Sequence, residues 1–200
     1  MARLLHIFAH PGRASSRINM ALWRTAQVVD GISSLDLYAR YPRYDIDIAA
    51  EQQRLLAHEV VLLQFPLFWY SAPALLKEWI DLTFEHGFAY GHGGDRLKGK
   101  RLMLALTAGG PEEAYGPQGY QHFDLRTFLT PFEQTARLCQ MSFLPPYVLF
   151  GALTAEPAPH AQGFARLLEA LRDDRFNGMR AASLPVLTHD TVPLLEGDQE

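Results

Sequence analysis

Three short apolar runs set the terms on which this chain can fold. Leu4–Ala9, Val60–Phe65 and Leu102–Thr107 each hold a single polar residue, which suits strands covered on both faces of a sheet. Each run ends in a turn signal: His10-Pro11-Gly12, Pro66 and Gly109-Gly110-Pro111. Two weaker strand candidates are Ser33–Leu37, after Gly31, and Tyr147–Phe150, after Pro145-Pro146. Helical periodicity fills the intervals. Ser16–Val29 puts Ile18, Leu22, Ala26 and Val29 on one face behind Ser15 and Ser16 as caps. Pro73–Phe84 opens on proline and carries Leu75, Leu76, Trp79, Ile80 and Phe84. Ile48–Ala57, Phe123–Leu138 and Gln162–Leu171 read as further helices.

Strands that alternate with helices predict one doubly wound parallel α/β sheet. Five strands fit a flavodoxin-like three-layer sandwich with sheet order 2-1-3-4-5. Residues 1–182 then form a single domain. Residues 183–200, with Pro185, Pro193 and an acidic end, read as an irregular tail or a segment packed on a partner subunit. In such a sheet a ligand sits beyond the carboxyl ends of the strands, at the switch between strands 1 and 3.

The loops at those ends are the unusual parts of the chain. The loop from His10 to Asn19 is entered from a strand and left by a helix. Helix N–H groups, the Ser15 and Ser16 hydroxyls and the Asn19 amide would cradle a phosphate, with Arg13 and Arg17 adding charge. A plain serine-capped helix explains the same residues. Neither G-x-G-x-x-G nor G-x-x-x-x-G-K-[ST] is present, which excludes both nucleotide loops that carry those signatures. Pro66-Leu-Phe-Trp-Tyr-Ser-Ala-Pro73 sets Trp69 and Tyr70 to flank a flat heterocycle, or else to form a core cluster beneath a loop. Gly109 and Gly110 permit close backbone approach to a ligand with Tyr115 as a rim hydroxyl, or else make an ordinary turn. His86 and His92, in the glycine-rich segment 85–94, lack metal-site spacing, so that segment reads as a shaped loop near the pocket and no metal is expected.

Composition closes other routes. Lys and Arg total 18 against 22 Asp and Glu, so a net charge of −4 offers no basic field for nucleic acid or anionic lipid. Cys139 is the single cysteine, which rules out an intrachain disulfide and a cysteine-rich zinc site. The apolar stretch around Val60–Trp69 is broken by Gln64 and Pro66 and falls short of the ~20 residues of a membrane span. The N-terminus, interrupted by His6 and His10, does not read as a signal peptide. A cytoplasmic location is expected.

Taken in order, several segments resemble the flavodoxin-like NAD(P)H:quinone oxidoreductase family. That family includes DT-diaphorase, the modulator-of-drug-activity proteins and the ancillary subunits of glutathione-regulated Kef potassium efflux systems. The segments are Ala9-His10-Pro11 with Ser16 and Asn19, Tyr41-Pro42 with Asp45 to Gln52, and Pro66, Trp69-Tyr70-Ser71 and Pro73. Leu76 to Asp81, Gly87 to Gly94, Gly109-Gly110 and Leu144-Pro145-Pro146 complete them. They span roughly residues 3–172, and the Kef ancillary subunits match best. The resemblance implies a flavin, FMN or alternatively FAD, with NAD(P)H as co-substrate and a quinone as electron acceptor. It assigns the flavin phosphate to His10, Ser16, Arg17, Ile18 and Asn19. It assigns the ring to Pro66, Leu67, Phe68, Trp69, Tyr70, Thr107, Ala108, Gly109 and Gly110. Tyr115 would hydrogen-bond the quinone, and the backbone at Gly109 and Gly110 would stabilise charge on the ring. Phe68 stands where many relatives have Gln, Ala108 where Thr is common, and Gln121, beside His122, where some have His. A homodimer is expected from the resemblance and from apolar residues on Phe123–Leu138 that exceed one helix face. The Kef likeness adds docking on a potassium efflux transporter through a protein contact.

Overall fold

The structure is a computed structural model that describes residues 1–195. Six strands form one parallel sheet. They are β1 (Leu4–Phe8), β2 (Ile32–Asp36), β3 (Val60–Pro66), β4 (Arg101–Thr107), β5 (Ser142–Phe143) and β6 (Tyr147–Leu149). The order is β2-β1-β3-β4-β5, and β6 also pairs with β4. The last two strands are halves of one edge position. β5 pairs with Arg101 and Leu102, and β6 with Ala105 to Thr107. Pro145 and Pro146 lie between them, and a proline has no N–H to give the ladder.

The helices are α1 (Arg17–Val28), α2 (Leu37–Arg40), α3 (Ile48–Leu56), α4 (Ala74–Thr83), α5 (Leu125–Phe128), α6 (Thr130–Leu138), α7 (Pro157–Arg172) and α8 (Gly178–Ala182). Alternate strand residues face opposite layers. Leu5, Ile7, Val61, Leu63 and Leu104 pack with Leu55 of α3, Trp79 of α4 and Phe132 of α6. Leu4, Val60, Leu62 and Met103 pack with Leu22 of α1 and Phe164 and Leu168 of α7.

Three boundaries differ from the sequence reading, each for a local reason. The helix expected over Phe123–Leu138 is two pieces. Pro131 would meet the Thr127 carbonyl in a continuous helix, and that carbonyl instead accepts the Thr130 hydroxyl at 2.7 Å. α7 begins at Pro157, ahead of the expected Gln162, because Pro157 and Pro159 sit in a first turn whose N–H groups need no helical partner. The short α2 forms where Asp36 accepts the Ala39 N–H at 3.0 Å. Residues 183–195 run back over β6. Leu187 N–H donates to the Pro146 carbonyl and Val148 N–H to the Leu187 carbonyl, at 2.8 and 2.7 Å. Leu187, Val192 and Leu195 are buried, so this segment covers the sheet edge. The acidic end of the tail lies outside the described residues.

Candidate functional site

A cleft of about 470 Å³ opens at the carboxyl ends of β1, β3 and β4. Its floor is the loop from β1 into α1. Ser16 is the N-cap of α1 with extended backbone (φ −92°, ψ 101°), yet its hydroxyl makes no capping hydrogen bond. The N–H groups of the first helical turn have no intrahelical acceptor. The hydroxyl and these donors are therefore free for an anion, which the positive end of the helix dipole also favours.

The arginines are otherwise engaged. Arg13 pairs with Asp36 at 2.5 Å. Arg17 donates to the Ala155 carbonyl at 2.8 Å and lies 3.7 Å from Glu156. Their charge is partly neutralised, and backbone donors remain as the main attraction. His10 accepts the Gly12 N–H on Nδ1 at 3.1 Å. Burial pushes its pKa down, opposed by Asp36, so the ring is neutral at pH 7 with its proton on Nε2. The Asn19 side chain, expected to hold phosphate, is 3% exposed and bonded inward to Thr107 and Gln64.

The second wall is the loop after β3. Phe68 and Ser71 exchange backbone hydrogen bonds at 3.0 Å, closing a two-residue turn over Trp69 and Tyr70. Both central residues are left-handed, at φ 47° and 63°. Such tight turns normally use Asn or Gly, so an aromatic pair stores about 1–3 kcal/mol of strain per residue. The turn holds Trp69 out to solvent at 92% exposure, so it is not a core residue.

The third wall is the loop after β4. Ala108 is buried and its N–H donates to the Leu149 carbonyl. The Gly110 carbonyl accepts from Gly151, and a Cβ at Gly110 would meet Tyr120 Oη at 2.7 Å. The N–H groups of Gly109 and Gly110 have no acceptor among the described residues.

Of the residues singled out from sequence, His10, Ser15, Ser16, Arg17, Ile18, Asn19, Pro66, Leu67, Phe68, Thr107 and Gly109 line the cleft. Trp69, Tyr70, Ala108, Gly110 and Tyr115 do not. Tyr70 and Tyr115 belong to an adjoining aromatic shelf with Phe128 and Phe150. Ring centroids there are 4.8 Å apart for Tyr70–Phe128 and 5.6 Å for Tyr115–Phe150. Tyr70 Oη donates to Gln121 Oε1 at 3.0 Å, while His122 is exposed. Burial first, then Tyr120 and Tyr70, raise the Tyr115 pKa, which keeps its hydroxyl a donor.

Ala152 and Leu153 also line the cleft and were not foreseen. Their signal was Gly151, left-handed at φ 61° after the last strand. The glycine-rich segment 85–94 contributes nothing to the cleft. Its glycines serve its own closure: a Cβ at Gly94 would lie 2.0 Å from the Tyr90 carbonyl oxygen. Among the described residues no three His, Cys, Asp or Glu side chains gather as a metal centre.

Behind the cleft, His6 is fully buried and bonded to Gln64 at 2.9 Å. Burial lowers its pKa from 6.5 to about 4. The unfolded chain binds that proton more readily, so His6 favours folding above pH 6.5 and the gain disappears as pH falls through 4. The unfolding free energy should drop by about 3 kcal/mol over that interval. Urea titrations across the range check this, and a flat profile contradicts it.

A parallel 2-1-3-4-5 sheet with its cleft at the β1/β3 switch is the arrangement of one known family, described as having a flavodoxin-like fold, whose profile matches residues 2–173. The chain belongs to that family. Within it, this flavodoxin-like chain is 41% identical over 170 residues to the glutathione-regulated potassium-efflux system ancillary protein KefG of Cronobacter sakazakii. The match covers 84% of this chain and 92% of the relative. Among solved structures, the general stress protein 14 of Treponema denticola in complex with FMN is similar at TM-score 0.77 and 34% identity. It covers 86% of this chain and 98% of its own. An NADPH-quinone reductase from P. pentosaceus is similar at TM-score 0.75 and 29% identity, covering 85% and 97%. Among the described residues no helix is long and apolar enough to cross a membrane.

Proposed function

We propose that this protein is an FMN-dependent NAD(P)H:quinone oxidoreductase. The observation that carries the reading is the uncapped start of α1, where the Ser16 hydroxyl and three backbone donors face a cleft at the switch point. FMN is favoured over FAD because the cleft is compact and the similar Treponema denticola structure carries FMN. When bound, the flavin supplies hydride-accepting and two-electron-donating chemistry that no side chain here can provide.

The chain's own residues bind and orient. Ser16 and the first turn of α1 hold the phosphate. Gly109, with no atom within 4 Å of a built Cβ, lets the ring approach the backbone. The free N–H group of Gly109, which lines the cleft, would face negative charge on the ring. Tyr115 donates to a carbonyl oxygen of the quinone from the aromatic shelf.

Purified protein should carry flavin absorbance and oxidise NAD(P)H when a quinone is added. Absence of binding with both FMN and FAD overturns the reading. Tyr115→Phe should lower quinone turnover about tenfold with FMN affinity unchanged, the loss of one hydrogen bond made to the substrate.

A homodimer belongs to the same reading. Phe123 at 56% exposure and Trp69 at 92% leave an aromatic rim beside the cleft that a second copy would cover, excluding water. A monomer with flavin bound, seen by sedimentation at micromolar concentration, contradicts it. A second role is favoured by the KefG relatives: docking from the cytoplasm on a Kef-type efflux system at the inner membrane. Potassium efflux measured with the transporter, with and without this protein, decides it. Unchanged gating beside robust quinone reduction leaves the enzyme alone.

A further inference from the structure

A line of polar side chains, buried except for half-buried Ser34, crosses the sheet from β2 to the cleft. Ser34 Oγ lies 3.2 Å from His6 Nδ1, and His6 Nε2 lies 2.9 Å from Gln64 Oε1. Gln64 Nε2 donates to the Asn19 backbone carbonyl at 2.9 Å and faces Asn19 Oδ1 at 3.3 Å. Asn19 Nδ2 donates to Thr107 Oγ1 at 2.8 Å. His6, Gln64, Asn19 and Thr107 are each at most 4% exposed.

The direction of this line is fixed by its chemistry. A backbone carbonyl can only accept, so Gln64 must turn its amide nitrogen to Asn19 and its oxygen to His6. That oxygen also only accepts, so His6 must carry its proton on Nε2 and accept from Ser34 on Nδ1. Asn19 Oδ1 faces the Gln64 donor, which leaves its amide nitrogen for Thr107. The Thr107 oxygen is thereby an acceptor toward Asn19, and its hydroxyl proton has no acceptor among the described residues. Thr107 lines the cleft.

We infer that His6, two strands away from Thr107, is a positioning residue for the cleft. Acting through Gln64 and Asn19, it holds the Thr107 hydroxyl as a hydrogen-bond donor toward an acceptor oxygen or nitrogen of the bound ligand. Identification of that ligand as a flavin rests on the function proposed above; the polarity of the relay does not. The His6 ring is held by Trp23 and Phe164, with centroids at 5.5 and 5.9 Å. Burial keeps it neutral down to about pH 4, so the same tautomer persists through the physiological range.

Two measurements test the relay. Long-range proton–nitrogen NMR of the ligand-free wild type at neutral pH should show His6 as the neutral Nε2–H tautomer. The Nδ1–H tautomer overturns the proposal, and no variant is needed for this arm. The second arm is a cycle of His6→Leu, Thr107→Val and the double variant, with FMN affinity read by fluorescence quenching. Thr107→Val should weaken binding about tenfold and His6→Leu about fivefold, while His6→Leu adds nothing further once Thr107 is Val. A purely structural role for His6 makes the two effects multiply in full, and that result overturns the relay. A wild type that binds neither FMN nor FAD sinks the flavin reading instead, and the tautomer then decides the relay by itself.

Discussion

Glu51→Ala lowers the unfolding free energy by about 2–5 kcal/mol, because it leaves two buried donors without an acceptor. Glu51 is fully buried on α3. Its carboxyl group accepts from Tyr41 Oη at 2.7 Å and Trp79 Nε1 at 3.1 Å, with Arg54 Nε at 3.4 Å. One side chain thus ties α3 to α4 and to the loop after α2. Tyr41 and Trp79 are themselves buried, so neither can turn to water when the carboxyl is removed. Glu51→Gln keeps one oxygen acceptor and should lose less than half as much. Urea unfolding of the three proteins is the measurement, and equal stability of Glu51→Ala and wild type contradicts the assignment. The result also bears on the Kef-like segments. Asp47 caps α3 through the Ala50 N–H at 3.0 Å, and Gln52 bonds Glu85 at 2.7 Å. Glu51 and Trp79 are buried, so any transporter contact in these segments would fall to exposed residues such as Asp47.

Ser16→Asp separates stability from binding. An aspartate at this N-cap supplies the missing side-chain acceptor and complements the helix dipole, which should stabilise the ligand-free protein by about 0.5–1 kcal/mol. The same carboxylate occupies the place proposed for the flavin phosphate and repels it. Loss of one or two charged hydrogen bonds together with that repulsion should weaken FMN affinity about a hundredfold. Thermal melting of the ligand-free protein and FMN titration are read side by side. A variant that gains stability and keeps full FMN affinity places the phosphate elsewhere.

Much of the architecture was legible because parallel strands covered on both faces must be written as continuous apolar runs. Leu4–Phe8, Val60–Pro66 and Arg101–Thr107 lie within a residue of the runs first seen. Their carboxyl ends announced the cleft, since His10, Pro66 and Gly109 break each run. The start of α7 was hidden by prolines that break helices only in their interior. The contribution of Ala152 and Leu153 was hidden as well. Their place depends on an edge strand split by Pro145-Pro146, which no periodicity reveals. The strained turn at Trp69 and Tyr70 is a similar case. Aromatics between two prolines read equally as a core cluster, and only the Phe68–Ser71 backbone pairing turns Trp69 outward.

Alternation of apolar runs with helical periods determines the class of fold and the end of the sheet where chemistry belongs, since burial by layers is a property each segment carries in its own sequence. The fate of the polar side chains was decided by tertiary structure alone. Arg13 looked available for an anion until β2 placed Asp36 beside it. Asn19 looked like a phosphate ligand until Gln64 met its amide oxygen and Thr107 its amide nitrogen. His6 served only to interrupt the N-terminal apolar run until parallel register set it beside Ser34 on one strand and on the same face as Gln64 on the other. A hydrogen bond is made or lost within a few tenths of an ångström, between residues such as Asn19 and Thr107 that lie 88 positions apart. Only the assembled sheet, with its register and packing fixed, defines distances that fine.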